Sequence, residues 1–116
     1  MNIQIFGRKK SNQTKKAQRF FSDRGIKFHF VDLDQKIISK GELDNIMSAL
    51  KEKEELLNKD SKLYRSKFLY LQFDLFEELL SNQEMISIPI VRNGNKATVG
   101  YCPDTWKLWI TMDQVQ

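Results

Sequence analysis

The residues best placed to do chemistry lie in one short stretch near the start of the chain. An apolar run from Ile3 to Phe6 ends at Gly7, a basic loop follows, and Ser11 stands where that loop enters a helix-like pattern. A strand that leads into a helix N-terminus presents unpaired backbone N–H groups and the positive end of the helix dipole, and both attract anions. The sequence therefore predicts an anion site around Ser11, at which either chemistry or only binding takes place.

The charge of this stretch supports the same interpretation. The net charge of the chain is +4, but the segment from Arg8 to Arg24 holds one acid, Asp23, against a run of bases. These bases are Arg8, Lys9, Lys10, Lys15, Lys16, Arg19 and Arg24. Such a face attracts a small oxyanion or an acidic partner, or it is a solvated helix face that keeps the protein soluble. Direct nucleic acid binding is disfavoured because the patch has neither interleaved exposed aromatics nor a helix-turn-helix pattern.

Length and composition set the class of protein. A chain of 116 residues, 41% hydrophobic and 29% charged, is typical of one soluble globular domain. No apolar stretch approaches the roughly 20 residues of a membrane span, and the bases at 8–10 follow the apolar run instead of preceding it, so no signal peptide is predicted. We expect a cytoplasmic protein without membrane contact. A single cysteine, Cys102, excludes an internal disulfide, and with one histidine it argues against a metal site.

The elements that must position Ser11 begin with a strand-helix-strand unit. Residues Asn2 to Phe6 form the first predicted strand, Ser11 to Arg24 the first helix with Gly25 as its C-terminal signal, and Ile26 to Leu33 the second strand. Such a unit predicts a parallel pair of strands joined by a right-handed crossover. His29 falls within the second strand and is interpreted as a structural residue.

A helical insert is predicted over about residues 39–81. Ser39 and Glu42 have the spacing of a capping box, which begins a second helix. The apolar stripe of that helix consists of Leu43, Ile46, Met47 and Leu50. A short helix is predicted from Ser61 to Phe68 and a longer one from Tyr70 to Leu80.

The last third of the chain changes to a strand period. Ile86 to Val91 predicts a strand, and Asn93-Gly94 before Lys96 to Val99 is a strong hairpin signal. Pro103 suits the first turn of a final helix, whose buried face is predicted to hold Trp106, Trp109 and Ile110. The order is thus β-α-β, a helical insert, then β-β-α.

That order, with a proline at the start of the third strand, resembles the arsenate reductase (ArsC) and Spx branch of the thioredoxin-like superfamily over nearly the whole chain. Relatives carry a cysteine in the first loop, a threonine three residues later, then basic residues and an alanine, where this chain has Ser11 to Ala17. The other positions that fit are Leu56-Leu57-Asn58, Ser61 to Arg65, Asn82, Met85, Ile86, Pro89, Ile90, Val91, Gly94 and Gly100. The resemblance implies an α/β fold, with one thioredoxin-like domain over 1–116 and a mixed four-stranded sheet.

The resemblance also implies roles for the residues of the first loop. Position 11 would be the nucleophile site, and Thr14 would stabilise its anionic form. The residues that would bind an anion or substrate are Arg8, Lys9, Lys10, Asn12, Lys15 and Pro89. Pro89 would follow a cis peptide bond, facing the nucleophile. No bound cofactor is implied, and the electron donor would be glutathione or thioredoxin.

Two positions depart from the reductases that the chain resembles. Ser11 replaces their nucleophilic cysteine, and Ile88 replaces an arginine that helps to hold the oxyanion. A serine hydroxyl is far less ionised than a thiol near pH 7 and cannot form the mixed disulfide on which thiol reduction depends. A neighbouring base is not apparent, although His29 lies late in the second strand.

Three explanations of Ser11 stay open. It is an engineered replacement of cysteine, a natural loss in a protein that keeps the fold for binding, or simply a helix N-cap, which is compatible with both. The first hypothesis is therefore a thiol-dependent reductase of the arsenate reductase family, inactive or trapped as given. Its partner would be a small oxyanion or a thiol-disulfide substrate. The alternative is a non-catalytic, Spx-like transcriptional regulator that binds RNA polymerase, with its basic first helix against an acidic protein surface.

The segment before the last helix is a second candidate site. If the third strand runs antiparallel to the first, the hairpin returns the chain to the same end, and Gly100 to Cys102 should lie near the Ser11 loop. Val99 to Asp104 also resembles the Gly-Cys-Asp stretch with which glutaredoxins hold glutathione. Cys102 and Asp104 are therefore candidates for thiol or glutathione binding. The alternative is that Cys102 is a half-buried small residue and Asp104 a first-turn acid favoured by the helix dipole.

Overall fold

The computed structural model describes residues 1–115. Within these residues the strands are β1 (Ile3–Gly7), β2 (Phe28–Asp32), β3 (Ile90–Asn93) and β4 (Lys96–Val99). The α helices are α1 (Asn12–Asp23), α2 (Lys40–Ala49), α3 (Leu75–Ser81) and α4 (Pro103–Val115). Short 3-10 turns span Lys53–Leu56 and Gln83–Met85, and a π-helical turn spans Tyr64–Phe68.

The four strands form one mixed sheet in the order β2-β1-β3-β4. β1 is parallel to β2 and antiparallel to β3, and β3 is antiparallel to β4. The predicted thioredoxin-like α/β fold with a mixed four-stranded sheet is confirmed. At the carboxyl end of β1, Gly7 pairs with Asp32 and Phe6 with Ile90. The end of β2 and the start of β3 therefore lie on either side of the loop that leads to Ser11.

Each face of the sheet is covered by its own hydrophobic core. The core under α1 and α4 contains Ile3, Ile5, Ala17, Phe20, Phe21, Val91, Trp106 and Trp109. The core under α2 and α3 is built around Phe6, Ile38, Leu43, Ile46, Met47, Leu50, Leu79 and Ile90. The apolar faces predicted for α2 and α4 are thus confirmed, with Ile110 only partly buried, and the face of α1 that holds Ala17, Phe20 and Phe21 is buried as well. Trp106 is fully buried, and its Nε1 donates a 2.8 Å hydrogen bond to Thr98 Oγ1.

The capping signals predicted from the sequence are confirmed at the start of α2 and at the end of α1. Ser39 and Glu42 form the predicted capping box at the start of α2. Partial burial by itself would raise the pKa of Glu42, but the hydrogen bonds with Ser39 and the charges of Lys36 and Arg92 outweigh it and lower that pKa. Gly25 follows α1 with a φ of 68°, a left-handed conformation that glycine adopts without steric cost.

The helical insert differs from the prediction at its second half. A continuous helix from Tyr70 to Leu80 was expected, but α3 begins only at Leu75. The Asp74 side chain accepts a 3.2 Å hydrogen bond from the Glu77 backbone N–H, and this N-cap fixes the start of the helix. The predicted helix from Ser61 to Phe68 is present mainly as the π-helical turn.

The third strand and the hairpin also differ from the prediction. β3 begins at Ile90 and not at Ile86, because Pro89 has no N–H to donate to a neighbouring strand. Ile86 makes only an isolated bridge with Leu57. Asn93 pairs with Lys96, so the loop is Gly94-Asn95 and not Asn93-Gly94. Gly94 has a φ of 61°, as the first central position of a type II′ turn requires.

Candidate functional site

Ser11 lies at the N-cap of α1. Its Oγ accepts a 3.1 Å hydrogen bond from the Thr14 backbone N–H, and its carbonyl accepts one of 3.0 Å from Lys15. The Ser11 N–H in turn donates to the Arg8 carbonyl at 3.0 Å, which closes the loop into a turn. The N-cap interpretation of Ser11 is therefore confirmed. The hydroxyl oxygen accepts a hydrogen bond from the first turn of α1, as the side-chain oxygen of a capping serine ordinarily does.

The Thr14 side chain packs against the end of β1. It is fully buried, and a Cβ built on Gly7 would lie 2.5 Å from Thr14 Cγ2 and closer still to its Oγ1. Only glycine at position 7 allows this approach of helix to strand. Within residues 1–115, Thr14 Oγ1 has no hydrogen-bond partner. The backbone of Thr14 thus serves Ser11 and its side chain serves packing, while its implied role toward an anion stays a prediction.

The basic loop is partly neutralised by acids from β2 and the residues after it. Arg8 Nε lies 3.2 Å from Asp34 Oδ1, and Lys9 Nζ lies 3.8 Å from Asp32 Oδ2. Sequence reasoning missed both acids, because it counted charges only along the segment from Arg8 to Arg24. The signal was available, since parallel strands joined by a helix end at the same edge of a sheet. Two of the predicted anion-binding residues therefore already have carboxylate partners.

The other predicted residues of the loop are exposed around the first turn of α1. Lys10, Asn12 and Lys15 all face solvent, and neither lysine is in an ion pair with any residue from 1 to 115. These residues leave a weak positive field at the start of α1. Among the described residues, no ion pair holds these side chains around Ser11, whose Oγ is hydrogen-bonded to the Thr14 N–H instead.

Pro89 lies beside the end of β1, as expected. The Ile88–Pro89 peptide bond is cis, which confirms the expectation drawn from the family resemblance. The Gly100 N–H donates a 2.8 Å hydrogen bond to the Pro89 carbonyl, so the segment after β4 reaches the same edge of the sheet. Ile88, which stands where reductases have an oxyanion-binding arginine, offers only a half-buried apolar side chain.

Cys102 opens onto a different surface. Its thiol donates a 3.3 Å hydrogen bond to the Val99 carbonyl. It lines a groove of about 580 Å³ at the β4 edge, with residues 50–52, Glu55 and residues of β4 and α4, but none of the Ser11 loop. Burial raises the pKa of the Cys102 thiol, and the negative charge of Glu55 raises it further. The groove that Cys102 lines is therefore separate from the Ser11 loop, and the expected nearness of Cys102 to that loop stays a prediction.

Asp104 and His29 are both exposed. Asp104 lies in the first turn of α4, and glutathione binding there stays a prediction. His29 pairs with Gln4 near the start of the edge strand β2, three residues before that strand ends. At about 3.3 Å per residue, it is roughly 10 Å short of the edge that carries Ser11. His29 is therefore not placed as a base for the hydroxyl.

Comparison with known proteins is consistent with this geometry. The family model that matches residues 6–108 describes the ArsC family. The chain belongs to the ArsC family. No curated protein sequence matches it significantly. Across residues 1–115 of this ArsC-family protein, no helix is both long and apolar enough to cross a membrane, and no group of three or more His, Cys, Asp or Glu side chains could hold a metal ion.

Solved structures show the same fold. The chain is similar to an arsenate reductase from Vibrio cholerae, with a TM-score of 0.79 and 21% identity over 90% of this chain and 94% of that one. An ArsC-related protein from Brucella melitensis gives a TM-score of 0.68 and 24% identity, covering 95% of each chain. SACOL0876 from Staphylococcus aureus gives a TM-score of 0.73 and 26% identity over 91% of this chain and 96% of that one.

Proposed function

We propose that this ArsC-family protein keeps the scaffold of a thiol-dependent reductase but, with serine at position 11, acts by binding a partner instead of reducing a substrate. In this it would resemble the Spx-like regulators that contact RNA polymerase. The observation that carries the proposal is the hydrogen bond from the Thr14 N–H to Ser11 Oγ, which makes the residue at the nucleophile position a helix cap. A capping hydroxyl without a base beside it is a poor nucleophile.

The other thiol of the chain does not replace the missing one. Thiol reduction requires a thiolate that attacks the substrate and is then released by a second thiol through a mixed disulfide. Burial raises the pKa of Cys102 and so lowers its thiolate fraction near neutral pH. Its groove at the β4 edge has no residue in common with the Ser11 loop.

The charges around Ser11 support binding more than catalysis. Arg8 and Lys9 have carboxylate partners, and Ile88 stands where reductases have the arginine that holds the oxyanion. A transition state that gains negative charge would find few convergent donors here beyond the first amides of α1.

A latent reductase is the second candidate, because the chain keeps the close contact of α1 with β1 and the cis proline. The close packing of Thr14 on Gly7 and the position of Pro89 beside β1 would present a cysteine at position 11 to solvent at a helix N-terminus. Such a position lowers the pKa of a thiol. A cysteine codon at position 11 of the source gene would favour this candidate.

Restoring the sulfur separates the two functions. Ser11→Cys in a Cys102→Ser background gives a single thiol at position 11, and Cys102→Ser alone is the matched control. Arsenate and disulfide reduction are assayed with glutathione and with thioredoxin as donors, and the pH dependence of alkylation shows whether the thiol ionises. We expect a reactive thiol without turnover. Turnover above the control would overturn the binding proposal in favour of the latent reductase.

A further inference from the structure

We propose that the groove between α1 and α4 is the docking site for an acidic segment of a partner protein, in which apolar side chains alternate with carboxylates. The proposal deepens the binding function proposed above and rests on it. The groove has a volume of about 360 Å³. Its lining residues come from both helices and from the segment before α4: Lys16, Arg19, Phe20, Asp23, Arg24, Tyr101, Pro103 and Lys107.

In the part of the chain that the structure describes, the cations of this groove have no carboxylate partners. Lys16, Arg19, Arg24 and Lys107 face one acid, Asp23. Within residues 1–115, none of the four is in an ion pair, in contrast to Arg8 and Lys9. The fold adds Lys107 from a distant part of the sequence to the bases of α1. An unpaired set of like charges attracts an oppositely charged partner and gains most from a complementary one.

The floor of the groove is aromatic, and its side chains contact one another. The Arg24 guanidinium lies 3.8 Å from the centroid of the Phe20 ring, and its Nη1 donates a 3.0 Å hydrogen bond to the Phe20 carbonyl. Tyr101 is 43% exposed and rests edge-on against Trp106, with 5.5 Å between ring centroids. Lys16 Nζ lies 6.0 Å from the Tyr101 ring. Aromatic and arginine side chains held in place are the residues on which protein interfaces depend most.

This combination selects a peptide over other anions. The cations are spread along two helices and do not converge on a point, so they suit several carboxylates better than one small oxyanion. A nucleic acid strand would require successive stacking platforms, whereas Tyr101 is the one exposed aromatic ring among the residues that line the groove. An apolar residue of the partner would cover Tyr101 and Pro103 while flanking carboxylates meet the cations.

The test uses the whole chain and a labelled probe peptide in which glutamate alternates with leucine and phenylalanine. Binding is measured by fluorescence anisotropy at low and high ionic strength, and the site is mapped by amide chemical shifts. We expect shifts at residues 16–24 and 101–107, weakening of binding by salt, and at least about tenfold loss when glutamine replaces glutamate in the peptide. A single-stranded oligonucleotide that binds the same residues more tightly would overturn the choice of partner.

Charge reversal tests the groove against general electrostatics. Lys16→Glu with Lys107→Glu should weaken the peptide by about tenfold or more. Lys62→Glu with Lys67→Glu, the same change of net charge at exposed sites of the insert, should have at most about a twofold effect. A lysine-containing version of the peptide should bind the first variant better than it binds the native chain, which shows that the variant is folded.

Equal losses in both charge-reversed variants, or shifts confined to residues 8–15, would overturn the groove. That failure leaves the absence of catalysis untouched, since turnover by the Ser11→Cys variant is measured separately. Conversely, turnover by the Ser11→Cys variant would overturn the proposed function. Peptide binding at the groove would still be decided by the titration alone.

Discussion

The loop at residues 8–10 and the groove between α1 and α4 differ in what the fold does to their charge. Both regions draw on the run of basic residues between Arg8 and Arg24. In the loop, Asp32 and Asp34 from the end of β2 and the residues after it lie against Lys9 and Arg8. In the groove, α4 instead adds Lys107 to the bases of α1. A run of basic residues therefore does not by itself predict a positive surface. The acids and bases that neighbouring strands and helices bring to the run decide its charge.

The largest expected effect breaks the groove. Trp106 is fully buried, and its ring centroid lies 5.2 Å from the ring centroids of both Phe20 and Phe21 on α1. Trp106→Ala should lower the free energy of unfolding by about 3–5 kcal/mol, because it leaves a large cavity between the helices. Denaturant unfolding measures this. Leu108→Ala is the matched control, since Leu108 is 63% exposed on the same helix and should change stability by at most about 0.5 kcal/mol.

Trp106→Phe sharpens the same test. It keeps an aromatic ring but removes the Nε1 donor to Thr98 Oγ1, so we expect a smaller loss of roughly 1–3 kcal/mol from the smaller ring and the lost hydrogen bond. A Trp106→Ala protein as stable as the Leu108→Ala control would show that the packing of α1 on α4 does not depend on Trp106. The aromatic contacts of Trp106 would then not be what holds the floor of the groove in place.

The next effect is expected at the contact between Gly7 at the end of β1 and Thr14 in the first turn of α1, which flank the loop. Gly7→Ala places a methyl group against the buried Thr14 side chain, so it should cost about 1–3 kcal/mol by overpacking. Thr14→Ala removes the Oγ1 and Cγ2 atoms nearest to the added methyl group and leaves Cβ at 3.0 Å from it. The double variant should therefore lose less than the sum of the two single variants. A double-mutant cycle by denaturant unfolding measures the coupling. Additive losses would mean that β1 and α1 move apart to accept the methyl group.

Much of this fold could be predicted from the sequence because local signals and tertiary packing agree. The Ser39 and Glu42 capping box, the end of α1 at Gly25 and the buried faces of three helices follow from residue types and spacing alone. The start of α3 could not be read as easily, because the apolar spacing continues upstream of Asp74 and only the N-cap hydrogen bond decides the boundary. The predicted turn was displaced by one residue from the observed turn, because glycine suits either central position of a two-residue turn.

The candidate site was predicted less completely than the fold. The position of Ser11 at the N-cap and of Pro89 beside β1 was correct. The pairing of Arg8 with Asp34 depends on a register between strands that are distant in sequence, and the direction of the Cys102 thiol depends on how the chain turns between β4 and α4. The first could have been inferred from the predicted parallel order of β1 and β2, whereas the second is a tertiary fact that no local pattern encodes.

The smallest expected effect would make the loop resemble the groove. Asp32→Asn with Asp34→Asn removes the carboxylates that face Arg8 and Lys9, while an amide oxygen at position 32 still accepts the hydrogen bond from the backbone of residue 34. Exposed ion pairs contribute about 0–1 kcal/mol, so the stability should hardly change. Affinity for phosphate, read from amide shifts of residues 8–15, should rise by about two- to tenfold.

The control is Asp44→Asn with Asp60→Asn, two exposed acids outside the loop whose removal changes the net charge equally. If phosphate binds both variants equally, the added affinity comes from net charge, and the pairs at Asp32 and Asp34 do not govern the field at Ser11. If only the first variant gains affinity at residues 8–15, the acids at the end of β2 suppress an anion site that the helix N-terminus would otherwise provide. The two basic regions would then differ by these carboxylates and not by the number of their bases.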